Sequence, residues 1–150
     1  MARLRRIMHA TDFSRASTPA FKRAVGMAKA ERAQLIIVHA MAPPALALSG
    51  EGYVSPRLYE DLAASARAQA QKHLDGIVAK ARRAGARTTG LLVEGVPHER
   101  VARAARSKKA DLLVIGTHGR TGLAKFFLGS VATRLIGTAP CPVLTVRGGR

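Results

Sequence analysis

Short apolar runs and amphipathic stretches alternate along the whole chain. Residues 4–10 contain the apolar Leu4, Ile7 and Met8, residues 35–38 are an apolar run rich in β-branched side chains, and both stretches predict strands. Between them, Ser17 and Pro19 are typical helix-start residues, and an apolar stripe follows at helical spacing. This first part of the chain therefore predicts one βαβ unit.

The same alternation continues through the rest of the sequence. Residues 42–55 form a loop rich in Pro, Gly, Ala and Ser, and Gly85 is expected to end a long Ala-rich helix over residues 56–84. The later predicted elements are a strand over 88–94, a helix over 97–107, a strand over 111–115, a helix over 130–136 and a strand over 143–146. Strands that alternate with helices predict a parallel sheet with right-handed crossovers, and we expect this α/β fold to occupy residues 1–150 as one domain.

Length and composition narrow the class of protein. The chain has 150 residues, 47% of them hydrophobic, which is enough for one core. Its apolar runs are far shorter than the roughly 20 residues that cross a bilayer. Asp12 and Ser14 follow the basic start before any apolar signal region develops, so we expect a cytoplasmic protein without a membrane partner. The single cysteine, Cys141, lies between two prolines, and we interpret it as a small buried hydrophobic residue.

The charge is strongly basic. The chain has 25 Lys and Arg residues against 9 Asp and Glu residues, a formal net charge of +16, which attracts polyanions. One interpretation is a nucleic-acid partner, with basic residues gathered between Arg100 and Lys109. We favour an ordinary solvated surface, because single-strand binders interleave aromatic side chains and this chain has no Trp, two Tyr and four Phe.

The candidate chemistry lies in a glycine-rich stretch, residues 116–130, that follows the predicted strand over 111–115. In open parallel sheets, ligands bind beyond the carboxyl ends of the strands, where the strand order reverses. Glycines there allow backbone N–H groups to face a phosphate, and the N-terminus of the next helix adds unpaired donors. Ser130 is a candidate either to cap that helix or to donate to a phosphate oxygen. Glycines that serve only as turn residues remain the alternative.

The glycines of this stretch have a characteristic spacing. Gly116, Gly119, Gly129 and Ser130 form the pattern G-x2-G-x9-G-[ST]. The stretches that accompany it are ATDFS, IIVHA, EGVPHERVARAA, ADLLVIGTHGRTG, FLGSVATRLI and APCPVLTVR. Over nearly the full chain, these residues resemble the universal stress protein family, whose ATP-binding members carry that pattern.

The resemblance implies a Rossmann-like fold of the adenine nucleotide alpha hydrolase type. Its open parallel sheet has five strands in the order 3-2-1-4-5, with helices on both faces. The resemblance also implies a homodimer that pairs through the last strand, Val143–Val146, and ATP as the ligand.

Twelve residues are assigned to the ATP site by the same resemblance. Asp12 and the backbone of Ala40 are expected near adenine, with Ala10 and Thr11 at the same end. The residues expected near the nucleoside, ribose and phosphates are Ile115, Gly116, His118, Gly119, Gly129, Ser130 and Val131. Arg120 and Lys125 are expected to add positive charge near the phosphates, with a solvent-facing position as the alternative.

Other polar residues give weaker signals. The five histidines lack paired metal-ligand spacing, so we expect Mg²⁺ or Mn²⁺ to arrive with the triphosphate. We interpret His9 and His39 as hydrogen-bonded histidines on adjacent strands. Because no residue can be assigned as a general base, we predict a cytoplasmic ATP-binding regulatory protein. The alternatives are a basic nucleic-acid-binding module and a slow ATPase or autophosphorylating protein.

Overall fold

A five-stranded parallel sheet forms the centre of the molecule. The computed structural model of the chain describes residues 2–43, 54–118 and 128–148. Its strands are β1 (Arg6–Ala10), β2 (Gln34–Met41), β3 (Thr88–Glu94), β4 (Leu112–Gly116) and β5 (Val143–Val146). They lie in the order β3-β2-β1-β4-β5, and every neighbouring pair is parallel. The expected fold class and strand order are confirmed.

Four helices cover the two faces of this sheet. They are α1 (Thr18–Glu31), which follows a 3-10 turn at Arg15–Ser17, α2 (Pro56–Arg83), α3 (Pro97–Ser107) and α4 (Ser130–Thr138). One core lies between the sheet and α1 with α2, and a second lies between the sheet and α3 with α4. Among the described helices, none is both long enough and apolar enough to cross a membrane.

The predicted boundaries differ from the observed ones at three strands. β1 begins at Arg6 and not at residue 4, and β4 is shifted by one residue to Leu112–Gly116. β2 is twice as long as the predicted run over 35–38, because its carboxyl end pairs with β3 as far as Met41 opposite Glu94. Most of the predicted loop over 42–55 lies outside the described residues.

Cys141 differs from its predicted environment. The residue is only partly buried, at the margin of the core under α3 and α4, because it lies in the turn before the edge strand β5. Burial, followed by the charge of Asp111, raises the pKa of its thiol. A raised pKa disfavours the thiolate, which is the reactive form of the side chain.

Three helices end in a residue with left-handed backbone geometry. These residues are Arg32 after α1, Gly85 after α2 and Lys109 after α3, with φ of 54°, 96° and 52°. In each case the next residue donates its N–H to a carbonyl in the last helical turn, at 2.9 to 3.1 Å. This closure is the usual helix ending with glycine. Gly85 ends α2 as the sequence predicts, whereas Arg32 and Lys109 adopt the same left-handed backbone geometry although they are not glycines.

We expect glycine to stabilise the protein at either of the two non-glycine endings. Lys109→Gly and Arg32→Gly should each raise the free energy of unfolding by about 0.5–1 kcal/mol, measured by urea denaturation. The left-handed conformation costs other residues about 1–2 kcal/mol, and the greater freedom of glycine in the unfolded chain offsets part of the gain.

Lys108→Gly provides the matched control. Lys108 has the same charge as Lys109 but a right-handed φ of −84°, so glycine there should lower stability by about 0.5–1 kcal/mol. An equal gain at Lys108 and Lys109 would contradict the conformational explanation and implicate charge removal.

Candidate functional site

A cleft opens at the carboxyl edge of the sheet, between β1 and β4. After β1, the chain adds β2 and β3 on one side of β1, and β4 then pairs with its other side. The strand order therefore reverses between β1 and β4. The cleft encloses about 260 Å³, near the lower end of the roughly 300–1,000 Å³ common for ligand pockets. Its lining residues are Ala10, Thr11, Asp12, Ser17, Ala40, Pro97, Val101, Ile115, Gly116, Thr117, His118, Gly129, Ser130 and Val131.

Ten of the twelve predicted site residues line this single cleft. They come from the ends of β1, β2 and β4 and from the start of α4, although they are far apart in the sequence. The other two, Gly119 and Arg120, lie outside the described residues, as does Lys125. The structure therefore brings together every predicted site residue that it describes.

One end of the cleft is apolar. Ala10 and Ile115 are nearly buried neighbours in the β1–β4 register, and Ala40 extends the same surface on β2. Pro97 and Val101, one turn apart on α3, form the facing wall. Small aliphatic side chains on both sides leave a slot that suits a flat ring.

The other end of the cleft is the N-terminus of α4. Gly129 is the capping residue, and its N–H donates to the carbonyl of Thr117 at 2.6 Å. The first N–H groups of any helix lack a partner within the helix, and the helix dipole makes this end favourable for an anion. The side chains of Thr117 and His118 lie beside it, with Thr117 Oγ1 and His118 Nδ1 2.9 Å apart. This end of the cleft is suited to a phosphate.

Gly129 and Ser130, the last two residues of the glycine pattern, do not form a side-chain cap at the start of α4. Gly129 has φ −58° and ψ 154°, values open to any residue, so the backbone conformation does not require glycine there. Ser130 is the first residue within α4, and the cap makes no side-chain hydrogen bond. The capping role considered for Ser130 is therefore wrong, and its exposed hydroxyl lies at the cleft instead.

The turn after β1 forms the floor of the cleft. Asp12 Oδ1 accepts the N–H of Ser14 at 2.9 Å, and Thr11 Oγ1 accepts the N–H of Phe13 at 3.0 Å. Thr11 Oγ1 also lies 3.3 Å from Ser17 Oγ. Phe13 has φ 64°, an uncommon conformation for a bulky residue that persists only where surrounding contacts hold it. These bonds fix the direction of the Asp12 and Thr11 side chains.

His39 secures this turn from the opposite face of the sheet. Its Nδ1 donates to the carbonyl of Thr11 at 2.8 Å, and its ring lies 4.1 Å from the ring of Phe13. The Phe13 ring in turn meets His73 of α2 at 5.4 Å. A packed aromatic group therefore holds the strained turn, and His39 is a hydrogen-bonded histidine as expected.

His9 is the second histidine of the pair and lies within the core. It is fully buried on β1, and its Nδ1 lies 3.1 Å from the carbonyl of Val114 on β4. Because a carbonyl only accepts, Nδ1 carries the proton, and Nε2 has no hydrogen-bond partner among the described residues. Burial lowers the pKa of His9 to about 4, and the bond to Val114 and the charge of Asp12 only partly oppose this.

Sequence reasoning missed four residues of the cleft. Thr117 continues β4 by one residue, and Ser17 is the last residue of the 3-10 turn, so chain proximity to predicted site residues was the available signal. Pro97 and Val101 could have been found because a helix that follows a parallel strand begins at its carboxyl edge. Their spacing of four residues places them on one side of that helix.

The fold and the cleft together define an open, doubly wound α/β protein of the Rossmann-like type. The model of the Universal stress protein family matches residues 3–147. The chain belongs to the universal stress protein family.

Individual relatives support this assignment over most of their length. A universal stress protein of Methanocaldococcus jannaschii is 35% identical over 95% of this chain and 82% of its own. One of Thermus aquaticus is 39% identical over 84% of this chain and 89% of its own. A universal stress protein solved in complex with cAMP is 28% identical, covers 99% of this chain and 100% of its own, and superposes with a TM-score of 0.73.

The burial of His9 should make the stability of the folded protein depend on pH. Its folded-state pKa of about 4 lies below the ordinary value of 6.5, so the unfolded chain binds a proton that the folded protein rejects. Stability should be unaffected by this group above pH 6.5 and fall by up to about 3 kcal/mol on acidification to pH 4. His9→Leu should flatten this part of the profile, measured by denaturant unfolding at several pH values. Equal slopes in both proteins would contradict the assignment.

Proposed function

We propose that the chain is an ATP-binding regulatory protein of its family, acting in the cytoplasm as a homodimer. The observation that carries this proposal is the cleft itself, in which one apolar slot and one helix N-terminus face the same space. The relative that was solved with cAMP supports an adenine nucleotide as the class of ligand.

The apolar slot is the proposed adenine end. Ala40, Val101 and Ile115 supply dispersion contacts to a ring, and Asp12 supplies a carboxylate. A carboxylate repels phosphates but accepts hydrogen bonds from amino or hydroxyl groups. We therefore place the exocyclic amine or the ribose near Asp12, and the phosphates at the far end.

The start of α4 is the proposed phosphate end. Backbone N–H groups of the first helical turn and the hydroxyl of Ser130 donate to phosphate oxygens. Among the described residues, the cleft is lined by one carboxylate, Asp12, which is too few for a protein-built Mg²⁺ or Mn²⁺ site. In the proposal, such a cation neutralises the phosphates and is bound mainly by their oxygens.

The edge strand β5 is the proposed dimer contact. Val143–Val146 pairs with β4 on one side, and all four residues are partly exposed. An edge strand with free backbone groups is a template for pairing with a second copy. In such a dimer, a nucleotide-dependent change in the cleft of one copy reaches the surface of the second copy.

The alternative of a slow ATPase or autophosphorylating protein has limited support in the cleft. In the part of the chain that the structure describes, His118 is the one histidine that lines the cleft, and Asp12 already accepts a hydrogen bond from the backbone of Ser14. Catalysis would require one of these groups to act as a base near the terminal phosphate. Turnover that disappears when the cleft is altered would favour this alternative over a purely regulatory role.

A calorimetric titration tests the proposed ligand. ATP with Mg²⁺ should saturate near one molecule per chain at low and physiological salt, and bind more tightly than GTP or tripolyphosphate. AMP and cAMP should bind in the same cleft, and the difference from ATP measures the contribution of the additional phosphates. Weak binding that is equal for all anions and lost in salt would contradict the proposal.

A substitution at Gly129 gives the sharper prediction. Gly129→Val should weaken ATP binding at least 100-fold, because a side chain enters the phosphate end of the cleft while its backbone conformation stays allowed. Gly137→Val is the matched control, since Gly137 lies in α4, the helix that Gly129 caps, and a Cβ added there meets no described atom within 4 Å. The control should bind ATP normally. Undiminished binding by a folded Gly129→Val protein would contradict the phosphate assignment.

A further inference from the structure

The amino edge of the sheet, opposite the cleft, carries a concentration of positive charge. The residues just before the strands are basic in each of four neighbouring positions across this edge. We define the basic edge as Arg87 before β3, Arg32 before β2, Arg5 and Arg6 at the start of β1, and Lys108 and Lys109 before β4. The strand order places these six residues in one row, although the sequence spreads them over more than a hundred positions.

Most of these side chains form no hydrogen bond or ion pair with another described residue. Arg6 Nη1 donates to the carbonyl of Lys108 at 3.3 Å. Within the described ranges, the other five are exposed and form neither a side-chain hydrogen bond nor an ion pair. The nearby carboxylate of Asp111 instead accepts the backbone N–H groups of Arg5 and Arg6, both at 2.8 Å.

Helix dipoles explain only part of this arrangement. α1, α2 and α3 end at the same edge, and a cation there gains about 0.3–1 kcal/mol from each helix C-terminus. Arg3 and Arg82 already donate to the carbonyls of Glu31 and Thr88 at this edge. Additional unpaired cations in one row repel one another, because neighbouring strands are only about 4.8 Å apart and the Debye length is about 8 Å. A bound polyanion would relieve that repulsion.

The composition of the edge favours one kind of polyanion. The described aromatic residues, Phe13, Phe21 and Tyr59, lie in the turn after β1 and near the starts of α1 and α2, at the opposite edge, whereas single-strand binders stack bases on aromatic rings. Of the exposed large apolar side chains of the described residues, Leu58, Leu62, Val96 and Leu128 lie near the starts of α2, α3 and α4, and only Ile136 lies in the last turn of a helix, α4. One such side chain is less than the apolar face with which helices insert into a membrane surface. What remains is recognition of a regular array of phosphates by charge alone.

The length of the row suits the charge density of a duplex. Four strands at about 4.8 Å span roughly 14 Å from β3 to β4. A duplex carries one phosphate charge per about 1.7 Å of its axis, which is about eight charges over that length and a denser anionic array than a single strand presents. We infer that the basic edge binds the phosphate backbone of double-stranded nucleic acid without reading its sequence.

This surface differs from the helix face considered from the sequence. Arg100 and Arg103 lie on α3 away from the amino edge, and the Arg100 side chain packs against Gly95 near the start of that helix. Of the basic residues gathered between Arg100 and Lys109 in the sequence, only Lys108 and Lys109 belong to the basic edge. The inference does not depend on ATP binding, because the cleft lies at the opposite edge.

A pair of triple variants tests the inference at equal net charge. The edge variant carries Arg5→Gln, Arg87→Gln and Lys108→Gln, and the control carries Arg23→Gln, Arg57→Gln and Lys72→Gln. All six residues are exposed and make no side-chain hydrogen bond or ion pair among the described residues. Binding of a labelled 20-base-pair DNA duplex is measured by fluorescence anisotropy from about 50 to 300 mM salt, and thermal unfolding with and without the duplex checks the fold.

The expected result is a difference in salt dependence. Wild-type protein and control should show a steep negative slope of log K against log salt, and the edge variant should lose about 2.7 units of that slope for three phosphate contacts. The duplex should also raise the melting temperature of wild type and control more than that of the edge variant.

Three outcomes would overturn the inference. Equal losses in both triple variants would assign binding to net charge, and undetectable duplex binding by folded wild-type protein would remove the site. Tighter, edge-dependent binding to a single-stranded 20-mer or to vesicles of phosphatidylcholine with phosphatidylserine would assign the basic edge to a different polyanion.

Discussion

The common direction of the five strands is the constraint on which both surfaces depend. In a parallel sheet, each connecting helix must return to the starting edge, so helix N-termini gather beside the carboxyl ends of the strands. Helix C-termini gather at the other edge. Charged side chains follow this polarity at some helix ends: Glu99 lies in the first turn of α3, and Lys29 and Arg82 lie in the last turns of α1 and α2, whereas α1, α2 and α4 have no acidic residue in the first turn. One edge therefore has free N–H donors, and the other has cations.

Asp111 links this polarity to the position of the cleft. Its Oδ2 accepts from the N–H groups of Arg5 and Arg6, and its own N–H donates to the carbonyl of Arg6 at 2.8 Å. β1 and β4 are thereby aligned at their amino ends, so that Ala10 and Ile115 emerge side by side at the other end. Because the strand order reverses at this pair, the alignment sets the geometry of the apolar slot.

The sequence was informative wherever one local pattern was sufficient. β3, α3 and β5 were predicted with their observed bounds, since apolar alternation, an N-terminal Pro97 and a final apolar run mark them clearly. The full length of β2 was not predicted, because its last three residues become part of the strand by pairing with β3, which lies far away in the sequence. The site residues on β1, β2, β4 and α4 were predicted from the resemblance to the universal stress protein family, which covers all four elements. Pro97 and Val101 were missed because their role depends on the tertiary approach of α3.

The Phe13 turn illustrates what single-sequence reasoning cannot supply. Nothing in the stretch ATDFS requires a left-handed phenylalanine, and the conformation is held by His39 and His73, which come from two other elements. Such strain is stable only when several independent contacts determine it. Its position next to Asp12 means that packing on one face of the sheet sets the direction of a carboxylate on the other.

The separation of the two edges decides how far the net charge of +16 can act in the cleft. β1 has five residues, and at about 3.3 Å per residue it holds the edges roughly 16 Å apart. This is about twice the Debye length of 8 Å at physiological salt, so the basic edge is largely screened from the cleft. An anion in the cleft must then be held by local groups: the N–H donors of α4, Ser130 and the residues beside them. The two surfaces can therefore have different ligands, because each has its own source of binding energy.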